Sequence, residues 1–198
     1  MINYEEAVGF LLSGKIDCCF DFFKEHENFL ETAYCYLLEE KLYNAMSFFR
    51  KTDNPRGIWG KRISKIFLDE YDEVPTYFQI RNFFEIDMDL FIKLEKYDYA
   101  NLMLRNIDLF YSVNSESYKL VSRVLLNNGY NDAAKVYLEK SKSKYYNDPE
   151  LHFLDMQYYE KVGDYDSALK AVANCLDVIP YYYPAMQAKE RLLKLKKV

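Results

Sequence analysis

The sequence predicts an all-α fold of antiparallel helix pairs, and three observations carry that prediction. Ala100, Ala134 and Ala168 stand 34 residues apart, with Asp98, Asp132 and Asp166 two residues before them. Gly129 and Gly163 share this spacing, as do Leu104, Leu138 and Val172. A helix–turn–helix unit that recurs at a fixed period buries its apolar face by stacking on its neighbours. No segment alternates apolar and polar residues convincingly, so no sheet is expected.

Helices are predicted near 3–13, 16–25, 27–39, 42–51, 55–69, 76–95, 98–110, 115–127, 131–143, 149–161, 165–177 and 183–196. Ala7, Phe10, Gly14 and Phe23 mark a first pair, and Ala33, Tyr36 and Ala45 a second. The register then breaks between 53 and 80, because Ala45 and Ala100 are 55 residues apart, not a multiple of 34. DEYDEVP in that stretch ends in a proline, which breaks or starts a helix. The long 76–95 span is open to division into two pieces.

Three repeats follow over 81–182. The first carries Phe84, Phe91, Tyr97, Ala100 and Leu104, with Glu95 where the later repeats have glycine. The second starts at Ser115 and carries Tyr118, Leu125, Gly129, Ala134, Leu138 and Ser141. The third starts at Pro149 and carries Tyr159, Gly163, Tyr165, Ala168, Cys175 and Pro180. Gly163 can take the left-handed backbone that ends a helix. Ala168 is small because two helices cross there. Pro180 stops the second helix, and Asp148 is placed to cap the helix that begins with Pro149. In the last helix Ala185, Ala188, Leu192 and Leu195 share a face, while Lys189, Arg191, Lys194, Lys196 and Lys197 fill the rest. A repeat array needs such a polar-backed terminal cap. The organisation expected is one domain over 1–198: irregular repeats in 1–52, the register break in 53–80, clear repeats in 81–182 and a capping helix in 183–198.

The segment GDYDSALKAV, set in this 34-residue frame, resembles the tetratricopeptide repeat (TPR) family. The resemblance covers about 81–180 and, less specifically, 1–52. It implies a right-handed helical solenoid that holds a protein or peptide and has neither catalytic residues nor a cofactor or metal. In that family the first helices of successive repeats line a groove. Carried over, the lining is Asn82, Glu85, Asp89, Ile92 and Lys93, then Glu116, Lys119, Arg123, Leu126 and Asn127, then Glu150, Phe153, Gln157, Glu160 and Lys161. Lys119 fits the carboxylate clamp of the chaperone-adaptor members, but Arg123, Leu154, Pro184 and Ala188 replace its other groups. Binding of chaperone tails is therefore not expected. The Lys119–Arg123 pair, one helical turn apart, is the expected source of charge selectivity.

ENFLETAYCYLLEEKLYNAMSFFRK, with Ala33, Cys35, Tyr36 and Ala45, is similar to the N-terminal repeats of TPR subunits of the anaphase-promoting complex, a cell-cycle ubiquitin ligase. That similarity implies the second reading, a homodimeric structural subunit that self-associates through its N-terminal repeats. A nucleic-acid binder or small enzyme on the same scaffold ranks behind both.

Composition narrows the classes. A formal charge of −5 argues against nucleic acid as partner, since an acidic chain gains nothing from releasing phosphate counterions. No run of about 18 apolar residues occurs, so no membrane span is expected. Cys18, Cys19, Cys35 and Cys175 have no disulfide-framework or zinc spacing. They read as reduced, packed thiols of an intracellular protein, cytoplasmic or nuclear. His26 and His152 form no H-E-x-x-H, and PRGIWGK lacks the spacing of a phosphate loop. His152 falls at a packing position.

Two surface features compete with packing explanations. Arg50, Lys51, Arg56, Lys61, Arg62 and Lys65 surround Trp59, as in a nucleic-acid or acidic-peptide surface. The favoured explanation is a solvated helix face with Trp59 packed inward. Tyr181, Tyr182 and Tyr183 read first as packing around the Pro180–Pro184 turn.

Overall fold

A computed structural model describes residues 2–70, 73–144 and 147–196. Among them every regular element is helical, as the spacings predicted. The chain divides into two compact units, Met1–Asn114 and Ser115–Val198. The first holds α1 (Tyr4–Leu12), a 3-10 turn (Ile16–Cys18), α2 (Phe20–Glu25), α3 (Phe29–Leu38), α4 (Leu42–Phe49) and α5 (Pro55–Phe67). It continues with α6 (Tyr77–Gln79), a π-helical turn (Ile80–Phe84), α7 (Glu85–Lys93), α8 (Tyr97–Arg105) and α9 (Ile107–Val113). The second holds α10 (Ser117–Asn127), α11 (Asn131–Lys142), α12 (Pro149–Lys161), α13 (Tyr165–Val178) and α14 (Tyr183–Leu195).

One turn builds the hairpins. Gly14, Glu40, Glu95, Gly129 and Gly163 have left-handed φ values of 74, 65, 59, 82 and 78°. The amide of each donates to the carbonyl three residues before it, and the next amide reaches five residues back. At Gly163 these bonds run to Glu160 (3.2 Å) and from Asp164 to Tyr159 (2.9 Å). At Glu95 they run to Ile92 (3.1 Å) and from Lys96 to Phe91 (2.8 Å). The carbonyls orphaned at a helix end are thereby satisfied. Lys15, Lys41, Lys96, Tyr130 and Asp164 then bend the chain with φ from −81 to −89° and ψ from 57 to 77°. Five residues beyond each left-handed position lies a buried small side chain: Cys19, Ala45, Ala100, Ala134 and Ala168. Glu95 thus keeps the glycine's place at a conformational cost of about 1 kcal/mol.

The irregular register has physical causes. Gly14 to Glu40 is only 26 residues because α2 has six residues and closes at Glu27, itself left-handed at φ 54°. Glu40 to Glu95 is 55 residues because α5 is inserted between hairpins. The glycines of PRGIWG serve packing there: a Cβ on Gly60 would lie 2.3 Å from the Phe49 ring, and one on Gly57 1.6 Å from Thr52 Oγ1. The 76–95 span keeps its helical path, with a π turn at 80–84. The predicted 98–110 helix is instead two, α8 and α9, divided at Asn106. The Asn106 amide donates to Leu102 O at 2.8 Å, a side-chain bond that competes with helix continuation.

In the second unit Met156, Ala168, Ala171, Val172, Cys175, Ala185, Ala188 and Leu192 form a buried cluster, with Phe153, Tyr159 and Tyr182 packed on it. Val178 ends α13 two residues before Pro180, and Asp148 caps α12 by accepting from Glu150 N (2.9 Å) and Leu151 N (3.3 Å). Leu195 departs from the expected capping face: it is 41% exposed.

Candidate functional site

The expected groove in the second unit lies on α10 and α12, whose residues at matching turns face each other through ion pairs. Lys119 on α10 is only 4% exposed. Its ammonium lies 3.1 Å from Glu116, 2.7 Å from Asp148 and 2.9 Å from Glu150. Burial by itself would lower its pKa, but the hydrogen bonds it donates to Asp148, Glu150 and Glu116 prevail and hold it above the ordinary lysine value. Burial likewise pushes Asp148 up, and the Lys119 ammonium with the Leu151 and Glu150 amides brings it below the ordinary carboxylate value. Arg123 also pairs with Glu150. Glu160 on α12 takes a two-pronged bond from Arg191 of α14, at 2.7 Å to each oxygen. These pairs staple α10 to α12 and α12 to α14.

This geometry corrects the expected charge selectivity. Lys119 is a buried fastening, not an open contact. Leu126 is buried in α10, and Phe153 on α12 is half-buried with its ring edge-on to Tyr182 at 5.6 Å. Gln157 is half-buried, and Asn127 and Lys161 are exposed. Tyr159 is half-buried, its hydroxyl accepting from Lys135 at 3.0 Å. In the first unit Glu85 and Asp89 lie on α7, where Asp89 pairs with Lys93 at 2.6 Å. Ile92 is buried there, and Asn82 is exposed in the π turn.

Sequence reasoning missed Asp87. Its carboxylate is fully buried in α7 and accepts from Arg56 (2.5 Å) and Trp59 of α5 and from Tyr34 of α3 (3.1 Å). Burial raises its pKa and the Arg56 guanidinium, the Trp59 indole and the Tyr34 hydroxyl pull it back, leaving it above the ordinary value. The Arg56 guanidinium also stacks over the Tyr34 and Phe83 rings. Asp155, 68 residues on in α12, is buried against Lys135 (3.5 Å) and Lys142 (3.2 Å) of α11. That doubled 34-residue spacing was the signal available for both acids.

The basic cluster around Trp59 is not a solvated face throughout. Trp59 is buried and Arg56 turns inward to Asp87, while Arg62 turns to Glu73 (3.0 Å) and Gln79 (2.5 Å). Lys51 covers the Phe29 and Phe48 rings. The tyrosine run also divides, with Tyr182 half-buried against the core and Tyr181 and Tyr183 at 88% and 66% exposure. Cys19, Cys35 and Cys175 are buried free thiols, whereas Cys18 is exposed. His152 is buried as expected. Among the described residues no helix is long and apolar enough to cross a membrane. Compared with known proteins, the chain matches no family profile and no curated sequence.

Proposed function

We propose that this chain is a non-catalytic protein-interaction scaffold of TPR type, working where its thiols stay reduced. The single supporting observation is the hairpin turn used at Gly14, Glu40, Glu95, Gly129 and Gly163, each followed five residues later by a buried small side chain. Repeated hairpins of this kind present successive first helices side by side, and such surfaces hold extended partners. The contact surface favoured is α12, where the Gln157 amide offers hydrogen bonds beside the Phe153 ring. Asn127 and Lys161 stand near the ends of their helices as polar rim.

A photo-crosslinking side chain placed at Gln157 tests this in the full chain. A second at Lys170, exposed on α13, is the control. A defined protein adduct from position 157 and none from 170 is the expected result. Equal adducts at both positions, or adducts at 170 alone, would refute this surface.

A further inference from the structure

The charge of the chain is unevenly spread. Residues 1–40 carry nine carboxylates against Lys15 and Lys24, a net −7, while residues 183–198 carry five basic side chains against Glu190, a net +4. On α14 the buried face is Ala185, Ala188 and Leu192. A second apolar stripe is left in water on the same helix: Met186 and Leu193, seven residues apart, are 43% and 44% exposed. Lys189 and Lys194 are exposed on the same helix. The other two cations of the described helix end are already engaged, Arg191 with Glu160 and Lys196 with Asp166.

A matching surface exists in the N-terminal region. Asp17, Phe20, Asp21, Tyr36, Glu39 and Lys41 line an open cleft of about 400 Å³. The Phe20 and Tyr36 rings meet edge to face at 5.1 Å and give it an aromatic wall. Lys41 is taken by Glu39 at 2.9 Å, whereas Asp17 and Asp21 stand exposed on the rim. An aromatic wall beside carboxylates attracts an ammonium both by charge and through the ring face.

We propose that the basic outer face of α14 in one copy docks on the acidic, aromatic-walled cleft of α2 and α3 in a second copy. The occupant is a second copy because one sequence supplies both surfaces with opposite charge. Lys189 and Lys194 meet Asp17 and Asp21, and Met186 and Leu193 cover the Phe20–Tyr36 wall. This contact is head-to-tail, joining two different patches. Pairing of two N-terminal regions with each other would set −7 against −7, which like-charge repulsion disfavours.

Sedimentation of the full chain tests the contact. Average mass is expected to rise above the monomer by about 300 μM at low salt and to fall back at about 0.5 M salt, where screening is nearly complete beyond 4–5 Å. The variant Lys189→Glu, Lys194→Glu and the variant Asp17→Lys, Asp21→Lys should each associate at least about tenfold more weakly, since each opposes like charges. Mixed together they should associate again as alternating copies, because both contacts between the two variants set opposite charges against each other, while each variant with itself opposes like charges. That recovered association also shows that both variants are folded. A wild-type monomer throughout, association that survives either reversal alone, or folded variants that do not pair on mixing would each overturn the proposal.

Discussion

Asp87 in α7 and Asp155 in α12 lie 68 residues apart, and each is buried against a cation from the preceding long helix, Arg56 in α5 and Lys142 in α11. The two differ in how closed they are. Asp87 has no exposed side-chain surface and serves three donors, whereas Lys135 and Lys142 beside Asp155 stay a quarter exposed and keep Glu139 as a second partner. Asp87→Ala leaves the Arg56 charge and the Trp59 and Tyr34 donors without their acceptor, so a loss of about 3–5 kcal/mol is expected. Asp155→Ala should cost about 1–2 kcal/mol, because its cations retain a carboxylate and water. Urea unfolding of both variants compares them. Equal losses would mean that Asp87 is not the closed polar centre described.

Glu95 offers a test of backbone strain. It holds φ at 59° in a place where Gly129 and Gly163 pay no steric cost. Glu95→Gly should therefore stabilise by about 1 kcal/mol, and Gly163→Ala should destabilise by a similar amount. Chemical denaturation midpoints moving in opposite directions would confirm the shared turn. A destabilised Glu95→Gly would contradict it.

Lys119 and Arg123 separate a buried fastening from a surface pair. Lys119→Ala removes the ammonium that Asp148, Glu150 and Glu116 share and leaves Glu150 with Arg123, for an expected loss of about 2–4 kcal/mol. Arg123→Ala should cost less than about 1 kcal/mol, since that pair lies near water. Thermal melts of the two single variants decide the matter, and equal shifts would sink the distinction.

Much of the fold was legible in the sequence because its repeat rests on residues with little freedom to vary. Ala134, Ala168, Gly129 and Gly163 show themselves by size or backbone. The two N-terminal hairpins were legible as helix pairs but not as copies of the same unit, because Cys19 stands for alanine and Glu40 for glycine, and because the six-residue α2 and the inserted α5 shift the spacing. The candidate site was less readable. Lys119 sits at a groove position by register, yet its burial depends on Asp148 and Glu150, 29 and 31 residues away. Likewise nothing in PRGIWGK alone shows that Arg56 turns inward, since Asp87 lies 31 residues further along.

The Asp148 pair also sets a dependence on pH. Its folded-state pKa is lowered, so its contribution is present above the unfolded carboxylate value near about 3.9 and is lost as pH falls through the folded value. Asp148→Asn keeps a side-chain oxygen able to cap α12 but removes the charge. The variant should melt lower than the parent at pH 7, and the two curves should converge below about pH 4. A gap that stays constant from pH 3 to 7 would show that the Lys119–Asp148 charge pair contributes no such term.

Everything proposed for this chain depends on its hairpins being interchangeable copies of one unit. Duplicating residues 129–162 in place adds one copy of α11 and α12 between positions that the 34-residue spacing makes equivalent. Neighbouring repeats contribute their own stability and that of one added interface. Denaturation followed by circular dichroism should show more helix per chain, a cooperative transition and a midpoint no lower than the parent's. A duplicated chain with less helix per residue, or a broad transition at a lower midpoint, would contradict the repeat architecture and the scaffold function built on it.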